Sequence, residues 1–134
     1  MTRLTALAAL ALVAGCASTP VAPAAQPAGP TPYPAGATNP AVTQQTIGTT
    51  ICVPGWTESI RPKLPTRAGY QHDHFISLEL GGAPTDGANL WYQPLAQARK
   101  DDRVETLLRR LICKHGLKLP DAQALIVAWK RAYG

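Results

Sequence analysis

The sequence predicts an α+β fold, with one folded domain over residues 39–134 of a 134-residue chain. Three observations carry this. Residues 72–80, "HDHFISLEL", are rich in β-type side chains and run into Gly81 and Gly82. Apolar residues at 95, 98, 104, 107, 108, 111 and 112 repeat with a helical period. Residues 17–38 carry no charge and are mostly Ala, Pro, Gly and Thr, a composition that cannot build a core. The total length leaves room for one domain.

The elements follow in order. Residues 1–15, "MTRLTALAALALVAG", join an early Arg3 to a short apolar run with small residues at its end, the pattern of an export signal. That run is too short to stay in a bilayer as a spanning helix. Residues 16–38 read as an extended tether, stiffened by prolines. Asn39 as cap and Pro40 at the first helical position predict a short helix ending at Gly48. "TTICVPGWTESIRP" predicts a strand, a turn at Pro54-Gly55 and further extended chain. "KLPTRAGY" is loop, "HDHFISLEL" a strand, and "GGAPTDGAN" a second loop. A helix then runs from Leu95 to His115, and Gly116 stops it. A last helix starts near Pro120-Asp121, with Ala124, Leu125, Ala128, Trp129 and Ala132 on one face. No internal repeat is present.

The segment "LVAGC" resembles the lipobox of bacterial lipoproteins. The resemblance implies that Cys16 is lipidated and becomes the mature N-terminus, anchoring an exported protein to the cell envelope. The anchor would be acyl chains, each buried methylene contributing ~0.8 kcal/mol. Ala17 rather than Asp after Cys16 implies the outer membrane if the envelope is Gram-negative. Of three cysteines, Cys52 and Cys113 then remain. In an oxidising compartment such a pair reads as a disulfide. Two free buried thiols are the alternative; a zinc pair lacks the usual CxxC spacing.

Removing Arg3 with the signal leaves 12 Lys and Arg against 8 Asp and Glu. Arg99, Lys100, Arg103, Arg109, Arg110, Lys114 and Lys118 crowd the long helix and its exit. A solvated helix face accounts for most of them. A surface for a polyanion is the sharper reading, with Arg99, Lys100 and Arg103 as candidate substrate contacts.

"DHFISLELGGAPTDGANLW", Asp73 to Trp91, resembles the core of the HNH, or ββα-metal, nuclease superfamily, in particular secreted bacterial proteins with a D-H-x-I-x-L-E-L-G-G…N-L-W signature. The resemblance implies a small β-hairpin and helix around one divalent ion (Mg, Mn or Zn), extended here by C-terminal helices. It implies His74 as the general base that activates water, Asp73 as metal ligand, and Asn89 as the residue that orients the loop and His74. Gly81 and Gly82 would form the tight turn, Leu78, Leu90 and Trp91 the core, and Asp86 a loop cap.

The chemistry is consistent. Phosphodiester hydrolysis needs an activated water and positive charge near the leaving oxygen. A histidine titrating near neutrality can take the proton. Adjacent strand residues point to opposite faces, so Asp73 and His74 share a site only where the strand ends or bends. The family also expects a His or Asn on the following helix, where this chain has Ala98. Asp101, the better hard-metal ligand, or Gln97 would have to substitute, with His72 a further candidate and Lys100 a phosphate contact or partial replacement for metal charge. Ser77 replaces a proline common in the family. His115, Trp56 and Trp129 read as structural, and Glu79 as an arginine partner.

The expected function is therefore a metal-dependent endonuclease acting on DNA or RNA, monomeric, lipid-anchored and facing the envelope. The alternative is a non-catalytic envelope lipoprotein that keeps the fold for binding. No base-reading element is visible, so no sequence preference is expected.

Overall fold

A computed structural model describes residues 33–133. The export signal of residues 1–15, Cys16 and the tether as far as residue 32 lie outside the described residues. The fold is mixed. Among the described residues it contains a two-stranded sheet, β1 (Tyr70–His74) and β2 (Leu90–Pro94), and three α-helices, α1 (Trp56–Ile60), α2 (Leu95–His115) and α3 (Leu119–Tyr133).

The strands pair antiparallel, from Tyr70 opposite Pro94 to His74 opposite Leu90. β2 passes into α2 without a loop, so hairpin and helix form one continuous unit. Pro94 suits the junction, because its fixed φ is compatible with a helix start and it has no N–H to leave unpaired. Gly116, at φ 74°, ends α2 as the spacing requires.

β1 ends earlier than the β-rich run suggests. Phe75 N–H still donates to the Asn89 carbonyl at 2.7 Å, in step with the ladder, and regular pairing stops there. Residues 78–80 form a 3-10 turn, because the Ser77 side chain accepts the Glu79 N–H and Gly81 takes the left-handed conformation at φ 77°. Phe75, Ile76, Leu78 and Leu80 are all buried, as a strand would have them, but on a coiled path.

The N-terminal third departs further from expectation. No α-helix covers residues 39–48. Thr46 Oγ1 accepts from Thr43 N–H and donates to the Ala41 carbonyl, both at 2.8 Å, so side chains take the bonds a helix would need. Residues 47–49 form a 3-10 turn, and Thr50 Oγ1 bonds the Thr46 carbonyl where a strand was expected. The extended chain expected after Gly55 is instead the short α1.

The core joins Val42, Ile51, Ile76 and Leu80 to Leu108 and Ile112 of α2 and to Leu119, Ala122 and Ile126 of α3. The buried stripe of α3 is Leu119, Ala122, Ile126 and Lys130; Ala124, Leu125, Ala128 and Ala132 face solvent, contrary to the face read from the sequence. Cys52 and Cys113 form a disulfide with Cα atoms 5.6 Å apart, clamping the N-terminal turns to the end of α2. Arg109 reinforces this clamp by donating to the Ile51 carbonyl at 2.7 Å.

Residues 33–38 belong to the folded unit rather than to a tether. Tyr33 packs on Phe75 and Trp91, with ring centroids 5.7 and 5.6 Å away. Gly36 N–H donates to Ala88, and Ala37 accepts from Ala83. The boundary read at residue 39 therefore falls too late. Composition misses this because the contacts are mostly backbone bonds.

Candidate functional site

A pocket of about 190 Å³ opens where β1 ends against α2. Asp73 and His74 line it together with Gln71, Ser77 and Glu79, while α2 contributes Asp102, Glu105 and Thr106 and the residue after α1 contributes Arg61. His74 is the last residue of β1, and this strand end lets two consecutive side chains border one cavity.

His74 is 3% exposed and fixed in orientation. Its Nε2 lies 2.9 Å from the Pro84 carbonyl oxygen. A carbonyl only accepts, so Nε2 carries the proton in the neutral ring and Nδ1 keeps its lone pair. Nδ1 lies 3.8 Å from Asp73 Oδ1. The same Asp73 oxygen accepts the His74 backbone N–H at 2.8 Å, and Oδ2 accepts from Gln71 at 3.1 Å. Burial pushes the Asp73 carboxyl up, but its contact with His74 and the charge of Lys130 outweigh it and hold the group below its ordinary range. Asp73 is thus ionised at neutral pH.

Asn89 is completely buried and works on the backbone. Its Oδ1 accepts from Ile76 N–H at 2.8 Å, and its Nδ2 donates to Ile76 O at 3.0 Å and Ala83 O at 2.9 Å. It therefore pins the loop that carries Pro84, the partner of His74. Its side chain does not touch His74 or line the pocket, so it positions rather than reacts. Gly82 must be glycine here: a Cβ would lie 1.8 Å from the Ile76 carbonyl oxygen. Asp86 caps the turn before Asn89 by accepting the Ala88 N–H.

Asp101 does not face the pocket. It is 1% exposed, bonded to Gln93, and accepts from Trp129 Nε1 at 2.7 Å and Gln97 at 3.2 Å. Both oxygens are occupied, so Asp101 ties α2 to β2 and α3 and is not free to hold a metal. Gln97 is spent on the same contact. Ala98 is packed in the interior. Arg99, Lys100 and Arg103 are exposed, and none lines the pocket; the guanidinium that does is Arg61. His72 stacks on Tyr92, with ring centroids 4.4 Å apart, away from the pocket.

The helix carboxylates at the pocket are Asp102 and Glu105. Burial and the nearby Asp73 charge raise Asp102. Burial raises Glu105 more than the facing Lys130 lowers it. Glu105 lies 2.7 Å from Lys130 Nζ, and that fully buried ammonium also donates to the His74 carbonyl at 2.8 Å. The sequence did hold a signal for this pair. Positions 98, 101, 105, 108 and 112 form the buried stripe of α2, and two of the five are acids; Lys130 interrupts the apolar series 119, 122 and 126 on α3.

Among the described residues no three His, Cys, Asp or Glu side chains form a ready-made metal cage. A magnesium-type ion asks for less, since one or two carboxylates suffice when substrate phosphate and water complete the shell. The ionised Asp73 at the pocket wall fits that demand, with Asp102 and Glu105 as the carboxylates that α2 brings to the same pocket. No family model, curated protein or solved structure matches this chain.

Proposed function

We propose that the chain is an HNH-type, or ββα-metal, endonuclease that hydrolyses phosphodiester bonds of DNA or RNA outside the cytoplasm. The observation that carries the reading is the His74 ring at the end of β1. Nε2 is committed to Pro84, and Nδ1 is left as a lone pair at a pocket wall beside an ionised carboxylate. That is the arrangement a general base needs. The hairpin running directly into a helix, with Asp73 and His74 at the strand end, supports the family reading.

In this mechanism His74 Nδ1 accepts a proton from the attacking water. Asp73 orients and stabilises the imidazolium that forms, and would hold the divalent ion. When bound, that ion supplies positive charge against the phosphate oxygens. Arg61, on the pocket rim, offers a guanidinium to the same phosphate. Asn89 keeps the 76–83 loop, and with it Pro84, in register.

The test uses the purified protein on plasmid DNA and on RNA, with Mg, Mn or Zn and with chelator. Metal-dependent nicking that disappears in His74→Ala supports the proposal. Full activity in His74→Ala would refute His74 as the base, whereas no cleavage under any metal while nucleic acid still binds would replace the proposal with the non-catalytic binding role.

We also propose anchoring of the exported chain through lipidated Cys16, on the lipobox resemblance. Cys16→Ser should move the protein from the membrane to the soluble fraction. Continued sedimentation with membranes would remove the anchor.

A further inference from the structure

Lys130 lies on α3, in line with Leu119, Ala122 and Ile126, and is 0% exposed. An ammonium in that position is costly. A buried lysine must be paired, and a buried ion pair is commonly no more stabilising than apolar side chains of similar size. Stability alone therefore gives no reason for a lysine here, since a methionine would fill the same space.

Its two contacts supply the reason. Nζ donates to the His74 carbonyl at 2.8 Å and pairs with the Glu105 carboxylate at 2.7 Å. His74 is thereby held at three points by three parts of the chain. Its N–H is held by Asp73, its ring by the Pro84 carbonyl in the loop, and its own carbonyl by Lys130 of α3. Glu105 is 8% exposed and borders the same pocket. One cation thus sets both the strand end that bears the base and the helix carboxylate opposite it.

We propose that Lys130 is a positioning residue of this site, acting through the His74 main chain and the Glu105 carboxylate. The proposal rests on the reading of His74 as general base. It makes α3, which packs as an ordinary helix elsewhere, part of the catalytic apparatus.

Lys130→Met, Glu105→Gln and the double variant test this in the full-length protein. Lys130→Met should lower kcat by about ten- to a hundredfold, the range typical of a lost supporting contact, with KM changed less than about twofold. It should also lower the melting temperature, because Glu105 is left buried without its cation. The double variant should regain most of that melting temperature without regaining kcat. A purely structural role predicts that both recover together, and a double variant that regains kcat to within about twofold of wild type along with its melting temperature would overturn the proposal.

A second measurement does not depend on turnover. In ¹⁵N NMR the wild-type His74 ring should show the Nε2–H form with a slowly exchanging proton. In Lys130→Met that proton should exchange faster and the ring signals should shift. Identical His74 signals in the two proteins would sink the proposal. If the wild type cleaves no nucleic acid, the nuclease reading fails and the NMR comparison alone decides the role of Lys130.

Discussion

Replacing Asn89 tests how the site is held together. The side chain is completely buried and makes three short bonds to the backbone, to Ile76 N–H, Ile76 O and Ala83 O. Asn89→Ala orphans all three backbone groups. Each buried group left without a partner costs about 1–3 kcal/mol. The three share one loop and do not add fully, so the expected loss is about 3–5 kcal/mol. A water filling the vacated space would recover part of this and set a floor near about 2 kcal/mol. Against a typical total of about 5–15 kcal/mol, such a loss leaves the protein marginal at 37 °C. Asn89→Asp separates bonding from volume. It keeps the size and the acceptor for Ile76 N–H, but faces two carbonyls with no donor. Urea unfolding followed by tryptophan fluorescence measures both variants, and Asn89→Asp should lose at least as much as Asn89→Ala at neutral pH. Variants within about 1 kcal/mol of wild type would refute the assignment of Asn89 as the pin of the loop.

Reducing Cys52–Cys113, which are 61 residues apart, should cost about 4 kcal/mol in the chain-entropy model; an unchanged midpoint in dithiothreitol would count against that clamp. Gly82→Ala should fold poorly or not at all, because its methyl would have to enter the Ile76 carbonyl, whereas Gly48→Ala, with open space around it, should be nearly neutral by thermal melting. Asp73 has a depressed folded-state pKa, so its contribution is present above the ordinary value of 3.8 and lost as pH falls through the folded value. Asp73→Asn should therefore flatten that part of the acid-unfolding profile; an unchanged slope below that pH would contradict the ionised, bonded state of Asp73.

How much was legible depended on whether the signal was local. The long helix matched at both ends, Leu95 and His115, because a helical period and a stop glycine are properties of neighbouring residues. Asp73, His74, the double glycine and Asn89 stood out because residues 73–91 together resemble the ββα-metal signature. The N-terminal helix failed because the Thr46 side chain competes locally with helix bonding, a contest that propensity alone does not resolve. β2 carries little signal of its own. "LWYQP" is five residues long and ends in proline, and pairing with β1 is what makes it a strand.

The choice of acid on α2 shows where sequence reasoning stops. Asp101 and Glu105 are one helical turn apart and both are buried, but neighbours outside the helix separate them. Gln93 and Trp129 saturate Asp101, while the pocket and Lys130 receive Glu105.

By itself the sequence determined the mixed fold class, the long helix and its end, the cysteine pair and the polar cluster at the strand mouth. Each of these follows from composition, period or spacing along the chain. Only the tertiary structure decided which helix carboxylates share the pocket with His74, which ring nitrogen stays free, and that a lysine from the last helix reaches the His74 main chain. Those outcomes depend on desolvation and on bonds between segments tens of residues apart, and no window of sequence contains both partners.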